Sequence, residues 1–245
     1  MSAARLQTGR PIALPGANTA RPLLNPLDLI AEEHEPARTA LVHTSDAAFG
    51  RATAVLWERK FMADFLGGLD AFFLIEDGGG GLIGWSGYRT TTVDGDTVIY
   101  FTSTGLLPTA QGRGLVPALQ RHVIDREAAQ GPGRPVTTAV RTRNPHSYRL
   151  ATKTFGTEPV FPGLDGTVPP QRRRLVAGIA SWLGVRDFDP VTARAPDAYQ
   201  VDGGLYGNDP KTGDGAVDAL FARLGASDAL LVCGRRPPRA AMQRS

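Results

Sequence analysis

Cysteine is almost missing from this chain of 245 residues, in which Cys233 stands alone. One thiol excludes an intramolecular disulfide framework and fits a cytoplasmic location. Lysine is scarce as well, present only at Lys60, Lys153 and Lys211, so arginine carries the positive charge. The formal net charge is +3 and no basic stripe is interleaved with aromatics, which argues against a nucleic-acid partner. No apolar run reaches the length of a membrane span. The N-terminal apolar residues are broken by Arg5, Arg10 and Arg21, so neither a signal peptide nor a membrane partner is expected. Cysteine and histidine do not fall at zinc spacing, and Glu32, Glu33, His34 and Glu35 read as a solvated turn, so no metal is expected. No internal repeat is visible. What is present, at 42% hydrophobic and 21% charged, is the composition of a globular protein.

The most informative stretch runs from Thr97 to Ile124. Val98, Tyr100, Thr102 and Thr104 alternate with Ile99 and Phe101, and the β-branched and aromatic types predict a strand. Leu115, Ala118, Leu119, His122 and Val123 recur at the spacing of one helical face, which predicts a helix lying on the sheet and His122 as a core histidine. Between strand and helix lies the turn Gln111-Gly112-Arg113-Gly114. A turn that feeds a helix N-terminus presents unpaired N–H groups and the positive end of the helix dipole, which is a physical basis for holding phosphate.

These residues resemble the GCN5-related N-acetyltransferases, whose signature is a strand, a proline-containing exit, and Arg/Gln-x-x-Gly-x-Gly/Ala opening a helix that cradles the pyrophosphate of acetyl-CoA. Leu106-Leu107-Pro108 matches the exit and Gln111-Gly112-Arg113-Gly114-Leu115-Val116 the loop, with Val116 where the family has Gly or Ala. The resemblance implies an α/β (α+β) fold: a mixed, mostly antiparallel central sheet flanked by helices, here with an inserted helix in the C-terminal third. It also implies acetyl-CoA or another acyl-CoA as co-substrate, held by Leu106, Leu107, Gln111, Gly112, Arg113, Gly114, Leu115, Val116 and Asn144. Asn144 ends the next strand, where the family touches the pantetheine arm, and is equally suited to cap a helix starting at Pro145.

The rest of the chain is arranged around that stretch. Residues 1–38, with prolines at 11, 15, 22, 26 and 36, read as an extended or partly disordered arm. A single acyltransferase domain is expected over 39–235. Within it a helix is predicted from Thr44, capped by Ser45 or Asp46, with Phe49, Ala52, Leu56 and Phe61 on one face. Trp57 and Phe65 lie where the family borders its acceptor pocket, although aromatics at helical spacing also serve as plain core. Strands are predicted at 70–76, 82–89 and 136–140, an inserted helix at about 169–185, a further helix at 216–224 and a last strand at 229–233. Residues 197–208 suggest a hairpin or lid, and 236–245 a mobile basic tail.

The implied chemistry is transfer of an acetyl or short acyl group from the thioester to the amine of a small molecule by direct attack. The resemblance assigns the oxyanion donor to the Leu106 N–H and makes Tyr148 and Tyr100 candidate proton donors. Ile99 to Gly105 contains no carboxylate to act as base; Glu76 and His146 are the substitutes elsewhere. Two alternatives stay open at this point. One is the same fold using a carrier-protein thioester, with Arg172-Arg173-Arg174 meeting an acidic carrier. The other is a non-catalytic acyl-CoA-binding module. Oligomeric state is not legible.

Overall fold

The computed structural model describes residues 6–155, 158–199 and 210–238. Among them eight strands form one sheet in the order β1-β2-β3-β4-β5-β6-β8-β7. The strands are β1 Ile12–Leu14, β2 Asn18–Pro22, β3 Ala71–Glu76, β4 Leu82–Val93, β5 Asp96–Leu106, β6 Val136–Thr142, β7 Arg194–Ala195 and β8 Ala229–Arg236. The helices are α1 Glu35–Phe49, α2 Arg59–Gly67, α3 Leu115–Gln130, α4 Pro145–Phe155, α5 Arg173–Trp182 and α6 Gly215–Phe221. The fold is thus α/β of the α+β kind, with a mixed and mostly antiparallel sheet: β5 runs parallel to β6, while the pairs β1–β2, β2–β3, β3–β4, β6–β8 and β7–β8 are antiparallel.

The chain divides into two compact units, residues 1–89 with 101–119 and residues 90–100 with 120–245. The N-terminal segment belongs to the first. Residues read as an extended or partly disordered arm form the β1–β2 hairpin, which pairs with β3 from Thr19↔Glu76 to Pro22↔Phe73. Strands of three and five residues interrupted by proline are too short to show a period, and only their partner strand orders them. Arg21 Nε pairs with the Glu76 carboxylate at 2.5 Å.

The helix expected to begin at Thr44 starts at Glu35, with Pro36 in its first turn, and ends at the C-cap Gly50. Ser45 and Asp46 are therefore not caps. Ser45 is buried within α1, and the Asp46 carboxylate accepts from the Thr53 N–H at 2.5 Å and hydroxyl at 2.7 Å. Proline early in a helix is tolerated because its absent N–H has no helical partner there, which makes Pro36 a start signal. The Leu56 and Phe61 side chains lie outside the described residues. Trp57, Leu41, Met62, Leu66, Phe72, Leu74 and Trp85 form the core of this unit. Burying each large side chain of this kind contributes about 1.5–3 kcal/mol.

In the second unit, α5 packs Leu175, Val176, Ile179 and Ala180 against Val98, Tyr100, Ala139, Leu231 and Cys233. The predicted inserted helix is thus a buried wall of this unit's core. Full burial pushes the Cys233 thiol well above its ordinary range. On α3 the buried residues are Leu115, Val116, Leu119, Gln120, Val123, Ile124 and Glu127, and His122 is exposed. The helical period was legible, but the buried stripe is rotated by about one residue, so His122 is not a core histidine. Of the expected tail, Arg236 ends β8 and 237–238 follow it, and residues beyond 238 lie outside the described set. The same holds for most of the 197–208 segment, including Tyr206; Tyr199 is described, and its hydroxyl donates to the Arg141 carbonyl at 2.8 Å. No described helix is long and apolar enough to cross a membrane.

Asp228, buried before β8, accepts from the Gly225 N–H at 2.8 Å, the Arg194 Nε at 2.8 Å and the Asp197 N–H at 3.4 Å. Burial alone would raise its carboxyl, yet these donors outweigh it and hold the group below the ordinary aspartate range. Asp189 is also lowered, chiefly by the Thr192 hydroxyl against an opposing effect of burial. A depressed native carboxylate stabilises the fold above its unfolded pKa of about 3.9, and that stabilisation is lost as pH falls through the native value. Urea midpoints are therefore expected to stay level from pH 7 to about 5 and to fall below about 4. Asp228→Asn should flatten part of that fall.

Candidate functional site

The candidate site grows from the end of β5. Asp94 and Gly95, with φ of 51° and 84°, form the two-residue turn between β4 and β5. Such a turn pairs Val93 with Asp96 and, by continuation, Gly87 with Thr102. Further along, the Leu107 N–H bonds the Ile83 carbonyl at 2.9 Å and the Ser86 and Thr104 hydroxyls meet at 2.9 Å. These pairs are one residue out of the register set by the turn. An extra residue in β5 between Thr102 and Thr104 accounts for the shift, which is the definition of a β-bulge. Beyond the bulge the indole of Trp85 covers Gly105, where any Cβ would lie 2.0 Å from the ring, and the Trp85 Nε1 donates to the Ser103 hydroxyl at 3.2 Å.

Successive strand residues point their N–H groups to opposite edges. Because the Leu107 N–H is taken by β4, the Leu106 N–H is directed to the other edge. The Leu106 carbonyl, on that same edge, accepts from Gln111 Nε2 at 3.2 Å. Gln111 thereby ties the loop back to the strand it leaves. The Leu107 N–H is thus spent within the sheet, whereas the Leu106 N–H is directed away from β4.

The loop then turns on Gly112 and Gly114, with φ of 73° and 77°. Both are left-handed conformations that cost a side-chain-bearing residue about 1–2 kcal/mol. A Cβ at either position would meet nothing within 4 Å, so the approach to the backbone amides is open. Gln111, Gly112 and Arg113 are exposed, and Leu115 and Val116 are buried at the start of the 16-residue α3. Val116 is therefore a core side chain, and its branched carbons point into packing rather than over the loop. These residues fit an anionic ligand: exposed amides in a glycine turn at the positive end of a long helix.

In the second unit, Asn144 is the N-cap of α4. Its Oδ1 accepts from the His146 N–H at 2.9 Å, and its own N–H donates to the Thr142 hydroxyl at 2.9 Å. His146 is exposed on the first turn. Tyr148 is buried, its hydroxyl donates to the Pro162 carbonyl at 3.0 Å, and its ring stands edge-on to Phe221. Burial, and secondarily the charge of Asp165, push this phenol above its ordinary value. That geometry engages the Tyr148 hydroxyl with the Pro162 carbonyl in the ligand-free protein. Tyr100 likewise belongs to the core under α5, edge-on to Trp182. Tyr148→Phe is expected to cost about 1–2 kcal/mol, since it strands a buried carbonyl. Urea denaturation checks this, and turnover should keep its pH profile.

The arginine run is engaged as well. Arg172 bonds Glu158 at 3.0 Å, Arg173 Nε donates to the Val168 carbonyl at 3.2 Å, and Arg174 pairs with Asp94 at 3.2 Å. Two features have no counterpart among the sequence motifs. The β-bulge has no compositional mark. The Asp96–Arg235–Glu158 network joins residues far apart in the chain, with Arg235 Nε 2.7 Å from Asp96 and Nη1 3.4 Å from Glu158.

Solved structures that resemble this chain include the ribosomal-protein-S5-alanine acetyltransferase from Vibrio fischeri, at 12% identity over 92% of this chain and 96% of that one, with a TM-score of 0.47. The ribosomal-protein-S18-alanine N-acetyltransferase from Escherichia coli is similar at 16% identity over 93% and 99%, with a TM-score of 0.46. A GNAT family N-acetyltransferase from Escherichia coli, solved in complex with CoA, is similar at 15% identity over 58% and 69%, with a TM-score of 0.38. No family model matches the sequence, and no curated protein matches it. At identities and scores this low, any assignment of function rests on the residues of this chain.

Proposed function

We propose that this chain is an acyl-CoA-dependent N-acyltransferase that moves an acetyl or short acyl group from the thioester to an amine of a small molecule. One observation carries the reading: the Gln111–Gly114 turn, with two left-handed glycines in open space, presents exposed amides at the head of α3 directly after the β5 exit. The diphosphate of CoA suits those amides. The Leu106 N–H, turned away from β4, is suited to the oxyanion that forms when an amine attacks the thioester carbonyl. A single such donor is worth about 2.7–4 kcal/mol in other enzymes. A neutral amine needs no covalent enzyme intermediate, so the chain's task is to hold the donor, polarise its carbonyl and seat the acceptor.

Acetyl-CoA and free CoA should both bind with micromolar affinity in calorimetric titrations, and absence of heat from either would end this reading. The carrier-protein alternative stays distinct from this reading: a donor without the CoA nucleotide would give no heat with free CoA in the same titration. The non-catalytic module stays as the second reading, favoured by the engagement of Tyr148 and Tyr100 in packing. Release of free thiol from acetyl-CoA in the presence of a panel of small amines separates the two.

A further inference from the structure

Among the described residues, every arginine that is not exposed has a partner within the chain, with one exception, Arg141. Arg143 and Arg149, the next two along the chain, donate to the Gly225 and Thr212 carbonyls. Arg235 and Arg236, on the neighbouring β8, pair with carboxylates. Arg141 is half-buried near the end of β6, and its guanidinium has neither a hydrogen bond nor an ion pair among the described residues. The segment that reaches it through Tyr199 brings no counter-charge, because Asp228 is bonded to Arg194 and Asp197 to the Ser227 hydroxyl. All of these residues belong to the second unit.

The backbone around Arg141 is held on several sides. It is paired directly across from Leu231, and opposed residues share a face of the sheet. Leu231 and Ala139 both lie in the core beneath α5, so the Arg141 side chain leaves that same face at the end of that core. β6 is paired to β5 from Val136 to Ala139 only, which places Arg141 two residues past the last of those pairs while β8 still holds its other edge. The Tyr199 hydroxyl fixes the Arg141 carbonyl at 2.8 Å. The strand is thus rigid where it carries an uncompensated charge.

A guanidinium cannot shed its proton, and a partly buried charge without a counter-ion is unfavourable, so an anion from outside the chain would supply what the fold does not. We propose that Arg141 is the receptor for an oxyanion carried by the acceptor, a carboxylate or a phosphate on the amine that is acylated. This rests on the acyltransferase reading and narrows its acceptor from a small amine to an anionic one. The planar fork of arginine grips two oxygens of either group at once, which the single ammonium of lysine does not. In that reading the diphosphate of CoA has its own place at the Gln111–Gly114 turn, which leaves Arg141 for the second substrate.

The test measures release of free thiol from acetyl-CoA by the full chain, with each common L-amino acid beside its C-terminal amide and with O-phosphoethanolamine beside ethanolamine. The anionic member of at least one pair should be turned over with a KM about tenfold or more below that of its neutral partner, and the pair that responds tells carboxylate from phosphate. Arg141→Met keeps the apolar stem and loses the fork. It should raise KM for that acceptor about tenfold to a hundredfold, the loss of a charge-assisted pair, with KM for the neutral partner and affinity for CoA unchanged. Its Tm should hold or rise, since the substitution removes an uncompensated charge. No preference for the anion in any pair, or a KM that Arg141→Met does not move, would overturn the proposal. So would a Tm lowered by several degrees, which would mean that the fold itself uses the guanidinium. Weaker CoA binding in Arg141→Met with dephospho-CoA unaffected would assign the charge to the 3′-phosphate and overturn it too. Absence of heat with CoA ends the acyltransferase reading, whereas CoA binding without any anion preference removes this inference alone.

Discussion

Gly114→Glu is expected to abolish binding of CoA and acetyl-CoA, with a loss of at least a hundredfold by calorimetry, while the protein stays folded. The physical grounds are separable. Nothing in the protein lies within 4 Å of a Cβ at this position, so the new side chain meets no wall. Its backbone cost comes from the φ of 77°, about 1–2 kcal/mol, or a Tm lowered by about 2–8 °C in a chain of this size. The carboxylate, however, occupies the space in front of the amides where a phosphate would sit, and two anions cannot share one set of donors. Gly114→Ala carries the same backbone strain without the charge. It should keep CoA affinity within about tenfold, and a loss as large as that of glutamate would mean that conformation, not charge, governs the loop.

Arg235→Ala is expected to have the largest effect on stability, about 3–5 kcal/mol in urea denaturation, because it leaves a buried carboxylate without its counter-charge. Arg235 Nε lies 2.7 Å from Asp96 Oδ2, and the Thr137 hydroxyl donates to the same oxygen at 2.7 Å. Asp96 is 4% exposed. The hydrogen bond to Asp96, opposed by burial and supported by Glu158, raises the guanidinium above its ordinary value. Asp96→Ala should cost a similar amount, and the double substitution less than the sum, since both single variants orphan the same partner set. An additive double variant would show that the two side chains act independently. The network pins the start of β5 to β6 and β8.

The strand–turn–helix at 97–124 was legible because each part carries a local signal. Alternating β-branched residues make β5, two glycines make the turn, and a 3.6-residue period makes α3. The same locality explains what was not legible. His122 and Ala118 fit the helical period as well as their neighbours do, and only the sheet beneath α3 decides which residues of the stripe are covered. Tyr148 fits the chemistry of a proton donor, and only the fold brings the Pro162 carbonyl to its hydroxyl. The segment before residue 38 has no periodic pattern, yet it forms a hairpin because β3 offers an edge to pair with.

By itself, then, the sequence determined the class of fold, the order of its main elements and the glycine turn, all of which arise from short-range sterics and periodicity. Tertiary structure alone decided the bulge in β5, the direction of the Leu106 N–H and the burial of Val116. Each of those depends on a partner distant in the chain, and hydrogen bonding and close packing between distant residues leave no regular mark on local composition.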